Sequence, residues 1–86
     1  MNIYVGNIDF KVEEHELKSL FEQFGTVDSA KIIKDKFTGR SRGFGFIEMP
    51  NEAEAKIAIE QLDGELLGTR NILVKKSNAS KRKIIP

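Results

Sequence analysis

Two phenylalanines and one arginine in the middle of the chain have the types and spacing needed to hold a flat ring and a phosphate. Phe44 and Phe46 stand two residues apart, and Arg42 precedes Phe44 by two. Alternate side chains of a β-strand point to opposite faces, so a strand here would place Phe44, Phe46 and Glu48 on one face. The two rings would then form a surface for stacking, and Arg42 could pair with a phosphate.

A second segment with the same kind of pattern lies at the start of the chain. Residues 3–8 are strand-like, with Ile3 and Val5 on one face and Tyr4 on the other. Asn7 and Asp9 then indicate a turn. Tyr4 thus has the opposite parity to the apolar side chains around it, as Phe44 and Phe46 have to Ile47 and Met49. This parity predicts that the three rings face away from the core.

Further strands and two helices are needed to support these segments. Strands are predicted over 27–34 and 72–75, and their outward side chains are Lys31, Ile33, Leu73 and Lys75. One helix follows from the spacing of Leu17, Leu20, Phe21 and Phe24. The second begins after a capping Asn51, ends at Asp63-Gly64, and has an apolar face made of Ala55, Ile57, Ala58, Ile59 and Leu62. In the connection that follows, Leu66 and Leu67 are expected to pack back on the core.

The resulting element order, strand-helix-strand-strand-helix-strand, is the split βαβ pattern. It predicts an α+β, ferredoxin-like βαββαβ sandwich, a four-stranded antiparallel sheet with two helices on one face. Right-handed crossovers place both helices on the same side of the sheet. The other face is therefore left open, and the three rings would lie on it.

Length and charge restrict what such a chain can do. Eighty-six residues make one domain, and the absence of cysteine excludes disulfides and thiolate metal sites. We expect a soluble, cytoplasmic protein without a membrane span. Residues 1–74 hold nine basic and thirteen acidic side chains, whereas 75–86 hold five basic and none acidic. The predicted organisation is a domain over 1–77 and a basic C-terminal tail over 78–86, which would attract a polyanion.

The two strand segments resemble the paired motifs of the RNA recognition motif family. Arg42-Gly43-Phe44-Gly45-Phe46-Ile47-Glu48-Met49 is similar to the family's octapeptide, with Ile47 for valine and Met49 for the final aromatic. Residues 3–8 resemble its shorter motif. The resemblance covers about 2–77 and implies that the first and third strands lie side by side. A chain this short resembles the small stand-alone bacterial members of the family, although it could equally be a piece of a longer protein.

The resemblance also implies a site for single-stranded RNA. Tyr4 and Phe44 would each stack under a base, Phe46 would pack against a sugar or between nucleotides, and Arg42 would pair with phosphate. Backbone groups near Ser77 could read a base edge. The other candidate RNA contacts are Asn7, Lys31, Ile33, Arg40, Glu48 and Lys75. No catalytic residue, cofactor or metal ligand is predicted, and a monomer is expected.

Several alternatives remain open at this stage. The same fold could bind a protein partner, or the sheet could bind single-stranded DNA, because stacking does not need a 2′-hydroxyl. An enzyme is not predicted, because no nucleophile-base pair or phosphate loop is visible. Phe37 could fold onto its own loop or add a fourth stacking surface. The tail could act as an electrostatic arm, or Ile84 and Ile85 could cover the open sheet as a lid. A post-transcriptional or RNA-chaperone role is implied by resemblance alone.

Overall fold

The computed structural model describes residues 1–77. These residues form two helices and six strands, in the order β1 (Asn2–Gly6), α1 (Glu14–Glu22), β2 (Ser29–Lys34), β3 (Ser41–Glu48), α2 (Glu52–Leu62), β4 (Leu66–Leu67), β5 (Arg70–Asn71) and β6 (Leu73–Lys76). Asn51 caps the start of α2 as predicted, and its side-chain oxygen accepts a hydrogen bond from the Glu54 amide at 3.0 Å.

The main sheet is antiparallel and has the strand order β2-β3-β1-β6. This order confirms the ferredoxin-like α+β prediction and the central placement of the first and third strands. The strands β4 and β5 pair only with each other, as a short hairpin ahead of the last strand. The sequence did not predict this hairpin, because two-residue strands carry no recognisable period.

One face of the sheet and one side of each helix make the core. The buried strand residues alternate with partly exposed ones, and they cluster with the buried helix residues, so both helices cover the same face. Met49 is fully buried, as expected for a back-face residue. The core consists of Ile3, Val5, Ile8, Val12, Leu17, Phe21, Val27, Ile32, Ile47, Met49, Ala55, Ala58, Leu62, Ile72 and Val74.

Two predictions about apolar side chains are wrong. Ile57 is 50% exposed, because at 100° per residue it lies on the side of α2 opposite Ala55, Ala58 and Leu62. Leu66 is 63% exposed on the hairpin, and only its neighbour Leu67 packs against the core.

The two glycines of β3, Gly43 and Gly45, are favoured at their positions for different structural reasons. A Cβ on Gly45 would come within 2.2 Å of the Lys31 carbonyl oxygen, so β2 passes too close for any side chain. Gly43 instead has a φ of 84°, a left-handed conformation that favours glycine, and a Cβ there would make only ordinary contact with the Ile8 carbonyl oxygen at 3.6 Å. Close approach of the neighbouring strand therefore explains Gly45, whereas backbone conformation explains Gly43.

Candidate nucleic-acid interface

Three rings form a cluster on the open face of the sheet. The Tyr4 centroid lies 6.1 Å from that of Phe44, at an interplanar angle of 28°, and 5.9 Å from that of Phe46. The centroids of Phe44 and Phe46 are 6.2 Å apart, with the rings nearly perpendicular. All three are partly exposed. We call Tyr4, Phe44 and Phe46 the aromatic platform; it is held by the pairing of β1 with β3.

Gly6 lies directly under the Tyr4 ring of the aromatic platform. A Cβ on Gly6 would lie 2.7 Å from the Tyr4 hydroxyl oxygen and 2.9 Å from a ring carbon, so the Tyr4 ring leans along β1 and covers Gly6. Gly6 is buried for that reason, although it lies on the open face. A side chain at this position would displace the ring and leave the backbone pairing in place.

We expect Gly6→Ala to weaken binding of single-stranded RNA by up to about fivefold, or roughly 1 kcal/mol, without a comparable loss of stability. Fluorescence anisotropy gives the affinity and thermal unfolding gives the stability. The same substitution in a Tyr4→Ala background is the control. There it should have no further effect, because the ring that it displaces is absent. Equal effects in both backgrounds would show that Gly6 does not act through Tyr4.

Basic side chains lie on both sides of the platform. In the sheet register Lys31 is opposite Phe46, Phe46 is opposite Tyr4, and Tyr4 is opposite Lys75, so one row across the sheet reads Lys, Phe, Tyr, Lys. The Lys75 ammonium nitrogen lies 5.8 Å from the Tyr4 ring centroid. Both lysines are exposed, as is Arg42 at the start of β3. A strand laid across the rings would therefore meet cations at either edge.

The remaining predicted site residues take various positions around the platform. Ile33 is half-buried in β2, next to an irregularity in the β2–β3 pairing, and Glu48 is half-buried at the end of β3. Ser77 lies beside β1, and its amide donates to the Asn2 carbonyl oxygen at 2.9 Å.

The Asn7 side chain is hydrogen-bonded to the β4–β5 hairpin through both its oxygen and its nitrogen. Its side-chain oxygen accepts from Arg70 Nη1 at 2.9 Å, and its Nδ2 donates to the Asn71 carbonyl oxygen at 2.9 Å. With a φ of 55° it also makes the turn that ends β1. The structure thus indicates that Asn7 positions Arg70, a contact between residues 63 apart that no sequence pattern signals.

The β2–β3 loop has a defined shape. The Asp35 carboxylate accepts from the amides of Phe37 at 2.7 Å and Thr38 at 3.0 Å, and the Asp35 and Arg40 backbones pair at 2.8 Å. These amides, Thr38 first, hold the pKa of Asp35 below its usual value. Phe37 is 91% exposed, so the alternative that it folds onto its own loop is wrong. Arg40 is exposed in the same loop.

Asp9 joins the loop after β1 to the β4–β5 hairpin. Its carboxylate accepts from the Lys11 amide at 3.0 Å, from the Thr69 amide at 3.0 Å and from the Thr69 hydroxyl at 2.5 Å. These hydrogen bonds, that of the Lys11 amide first, lower the pKa of Asp9 from 3.8 to about 2. The sequence indicated only a turn here, because the Thr69 contact spans 60 residues.

The depressed pKa makes a pH-dependent contribution to stability. Because folding lowers the pKa of Asp9, its contribution is complete above pH 3.8 and is lost as the pH falls towards about 2. We expect the stability gap between the native chain and Asp9→Asn to narrow over this range in urea unfolding. Asp35 titrates in both proteins and cancels in the difference. A gap that does not change with pH would contradict this role for Asp9.

Other sequence predictions fall outside this interface or the described residues. The tail, with the proposed lid residues Ile84 and Ile85, lies outside residues 1–77. Within those residues, no His, Cys, Asp and Glu side chains group in a way that could hold a metal ion. None of the helices in that part of the chain is long and apolar enough to cross a membrane.

An open sheet face with three rings on its two central strands defines a class of nucleic-acid-binding domain, and the comparisons agree with it. The RNA recognition motif model matches residues 3–73, and the chain belongs to this family. A putative RNA-binding protein, RbpA, of Nostoc sp. is 44% identical over 77 residues, which is 90% of this chain and 76% of RbpA. RbpA is a small protein with one such domain, which confirms the resemblance of this chain to the small stand-alone bacterial members of the family.

Two solved structures are similar in both fold and sequence. The crystal structure of RNA-binding protein PG1 superimposes with a TM-score of 0.89 at 48% identity, covering 93% of this chain and 96% of that one. The Rna15 RRM with bound RNA (GU) gives 0.80 at 31% identity, over 90% and 82% of the two chains. Chloroplast ribonucleoproteins also match, and the chain spans about a quarter to a third of their length.

Proposed function

We propose that this chain binds single-stranded RNA on the open face of its sheet. The observation that carries the proposal is the aromatic platform, three partly exposed rings with centroids about 6 Å apart on the two central strands. Tyr4 and Phe44 each stack under a base, and Phe46 packs against a sugar or between nucleotides. Duplex RNA does not fit, since its bases must be splayed out to reach a ring.

The basic side chains must supply the part of the binding free energy that stacking does not. Each stacked base contributes on the order of 1–3 kcal/mol, whereas a micromolar complex needs about 8 kcal/mol. Stacking alone therefore falls short, before any cost of ordering the strand. Arg42, Lys31 and Lys75 lie at the edges of the platform and supply phosphate contacts, with Arg40 in the β2–β3 loop. A bound base on Tyr4 takes the place of Lys75, which frees that ammonium for a phosphate.

The phosphate contacts are tested by the salt dependence of binding. We expect Arg42→Ala to reduce the slope of log affinity against log salt concentration by about 0.7, the value for one phosphate contact on a single strand. Lys56→Ala, which removes an exposed charge from α2, is the matched control and should leave the slope unchanged. Equal slopes for the native chain and Arg42→Ala would remove Arg42 from the site.

The competing functions make different predictions in the same assay. A single-stranded DNA-binding protein would bind DNA and RNA of equal sequence alike. A protein-interaction module would bind neither, although it would keep the fold. The platform favours a nucleic acid, because three partly exposed rings between cations are suited to bases and phosphates. We also propose that the protein is a cytoplasmic monomer without enzymatic activity, and that it has a post-transcriptional or RNA-chaperone role.

A further inference from the structure

We infer that Phe10 and Arg70 form a second stacking site, which takes one further base of the same single-stranded RNA beyond the aromatic platform. Phe10 is 67% exposed in the loop after β1. The Arg70 guanidinium carbon lies 5.8 Å from the Phe10 ring centroid. An aromatic ring and a guanidinium plane are both surfaces on which unstacked bases pack. The inference rests on the proposed function and extends it to a site outside the sheet.

Both side chains of this pair are held by neighbouring hydrogen bonds. Asp9 precedes Phe10 and Thr69 precedes Arg70, and the Asp9 carboxylate accepts from both the amide and the hydroxyl of Thr69. The Arg70 side chain is fixed as well, because Nη1 donates to Asn7. The loop and the hairpin are thus joined at the residues next to the pair. A site prepared in this way loses less entropy on binding than two free surface side chains would.

The pair is continuous with the platform. The Tyr4 ring covers Gly6, the next residue is Asn7, and Asn7 holds Arg70. On the other side, the Ile8 amide donates at 2.8 Å to the carbonyl oxygen of the residue before Phe44. Phe10 is two residues further along, within about 7 Å of extended chain. A strand that leaves the rings at this end of the sheet therefore meets Phe10 and Arg70 next.

The charges around the pair suit a phosphate backbone. Arg70 and Lys11 adjoin Phe10, and a groove beside Phe10 is lined by Lys34 and Arg40 as well as by Glu13 and Glu14. The acidic side chains lie at the start of α1, whereas Arg40 belongs to the loop that leads into β3, the strand of Phe44 and Phe46. The basic side of the groove thus continues the cationic edge of the sheet, which favours a nucleic acid over a protein partner.

The test compares pools of random-sequence RNA tetranucleotides and octanucleotides, because only the longer pool can span both sites. We expect Phe10→Ala to weaken octanucleotide binding at least about fivefold and to leave tetranucleotide binding unchanged, whereas Phe44→Ala weakens both. Phe10→Leu keeps an apolar side chain without a ring, and Arg70→Lys keeps the charge without the plane. Both should show the same length-specific loss. Ile57→Ala removes an exposed apolar side chain from α2 and should change neither affinity.

The outcomes separate this inference from the proposed function. If Phe44→Ala weakens both pools and Phe10→Ala weakens neither, the second site is overturned and the platform stands. If the length-specific loss appears in Phe37→Ala instead, the further base lies at the tip of the β2–β3 loop and the Phe10 assignment is wrong. If the native chain binds neither pool, both proposals are overturned. Amide spectra of each variant confirm that the fold is intact.

Discussion

Replacing Phe44 by alanine should weaken the binding of single-stranded RNA by about 5- to 150-fold, the equivalent of 1–3 kcal/mol for one stacked base. Phe44 lies on β3 beside Tyr4, with its ring tilted by only 28° to the tyrosine ring. Its truncation removes one stacking surface and also a neighbour that orients the other. Because the ring is partly exposed, we expect a smaller loss of stability than truncation of the buried Phe21 would cause.

Fluorescence anisotropy with labelled RNA gives the change in affinity, and urea unfolding of the same samples gives the change in stability. Phe44→Tyr is the conservative control, because it retains a ring and should bind within a few-fold of the native chain. Ile57→Ala controls for the loss of an apolar side chain on the surface away from the sheet. Unchanged affinity in Phe44→Ala would mean that bases do not stack at this position, and the proposed site would then have to be moved.

A second large effect concerns the fold itself. Gly45→Ala should lower the free energy of unfolding by about 1–3 kcal/mol, in the range of other overpacked positions. The added methyl group would come within 2.2 Å of the Lys31 carbonyl oxygen and 3.0 Å of the Ile32 Cα. Both are backbone atoms of β2, which cannot rotate away as a side chain can. The pairing of β2 with β3 would have to widen where Ile32 faces Gly45, next to the Lys31–Phe46 pair.

Thermal unfolding measures this effect, since 1 kcal/mol shifts the midpoint of a domain of this size by about 4–8 °C. Gly6→Ala is the informative comparison. It also introduces a methyl group at a crowded position of a central strand, but the group that it meets is the movable Tyr4 ring. We expect Gly45→Ala to lose mainly stability and Gly6→Ala to lose mainly RNA affinity. Equal thermal unfolding midpoints for Gly45→Ala and the native chain would contradict this prediction. They would show that β2 moves away from the added methyl group without a loss of stability.

The outward direction of the three rings could be predicted from the sequence because it depends on strand parity alone. Phe44 and Phe46 have the same parity in one strand, and Tyr4 opposes the apolar residues of another. Two short segments therefore determine which side chains face outward. The pairing of β1 with β3, which brings Tyr4 opposite Phe46, came from the family resemblance, since periodicity does not specify which strands are neighbours.

The hairpin and its contacts could not be predicted in that way. Asp9 and Thr69, and likewise Asn7 and Arg70, are joined by side-chain hydrogen bonds over 60 or more residues of chain. Such contacts leave no repeat in the sequence, and each residue alone suggests only a turn or a surface position. Phe10 was missed for the same reason. The proposed role of Phe10 depends on Arg70, which is distant in the sequence but lies against the Phe10 ring in the fold.

The errors at Ile57 and Leu66 have a simpler cause. In both cases an apolar residue next to true core residues was assigned to the core without regard to its direction. A helical wheel places Ile57 on the far side of α2 from Ala55 and Leu62. Leu66 belongs to the short β4–β5 hairpin, whose pairing turns one of the two leucines outward. Angular position is thus a better guide to burial than hydrophobicity alone.

The most direct test of the proposed RNA site is a titration of isotope-labelled protein with short RNA and with DNA of the same sequence. The changes in backbone amide chemical shifts are measured at each step. We predict that the shifts concentrate at Tyr4, Phe44 and Phe46, are larger with RNA than with DNA, and persist when salt is added. Shifts that avoid these three residues and disappear with added salt would contradict the proposal. They would mean that RNA is attracted only by charge and would favour a protein partner on the open sheet.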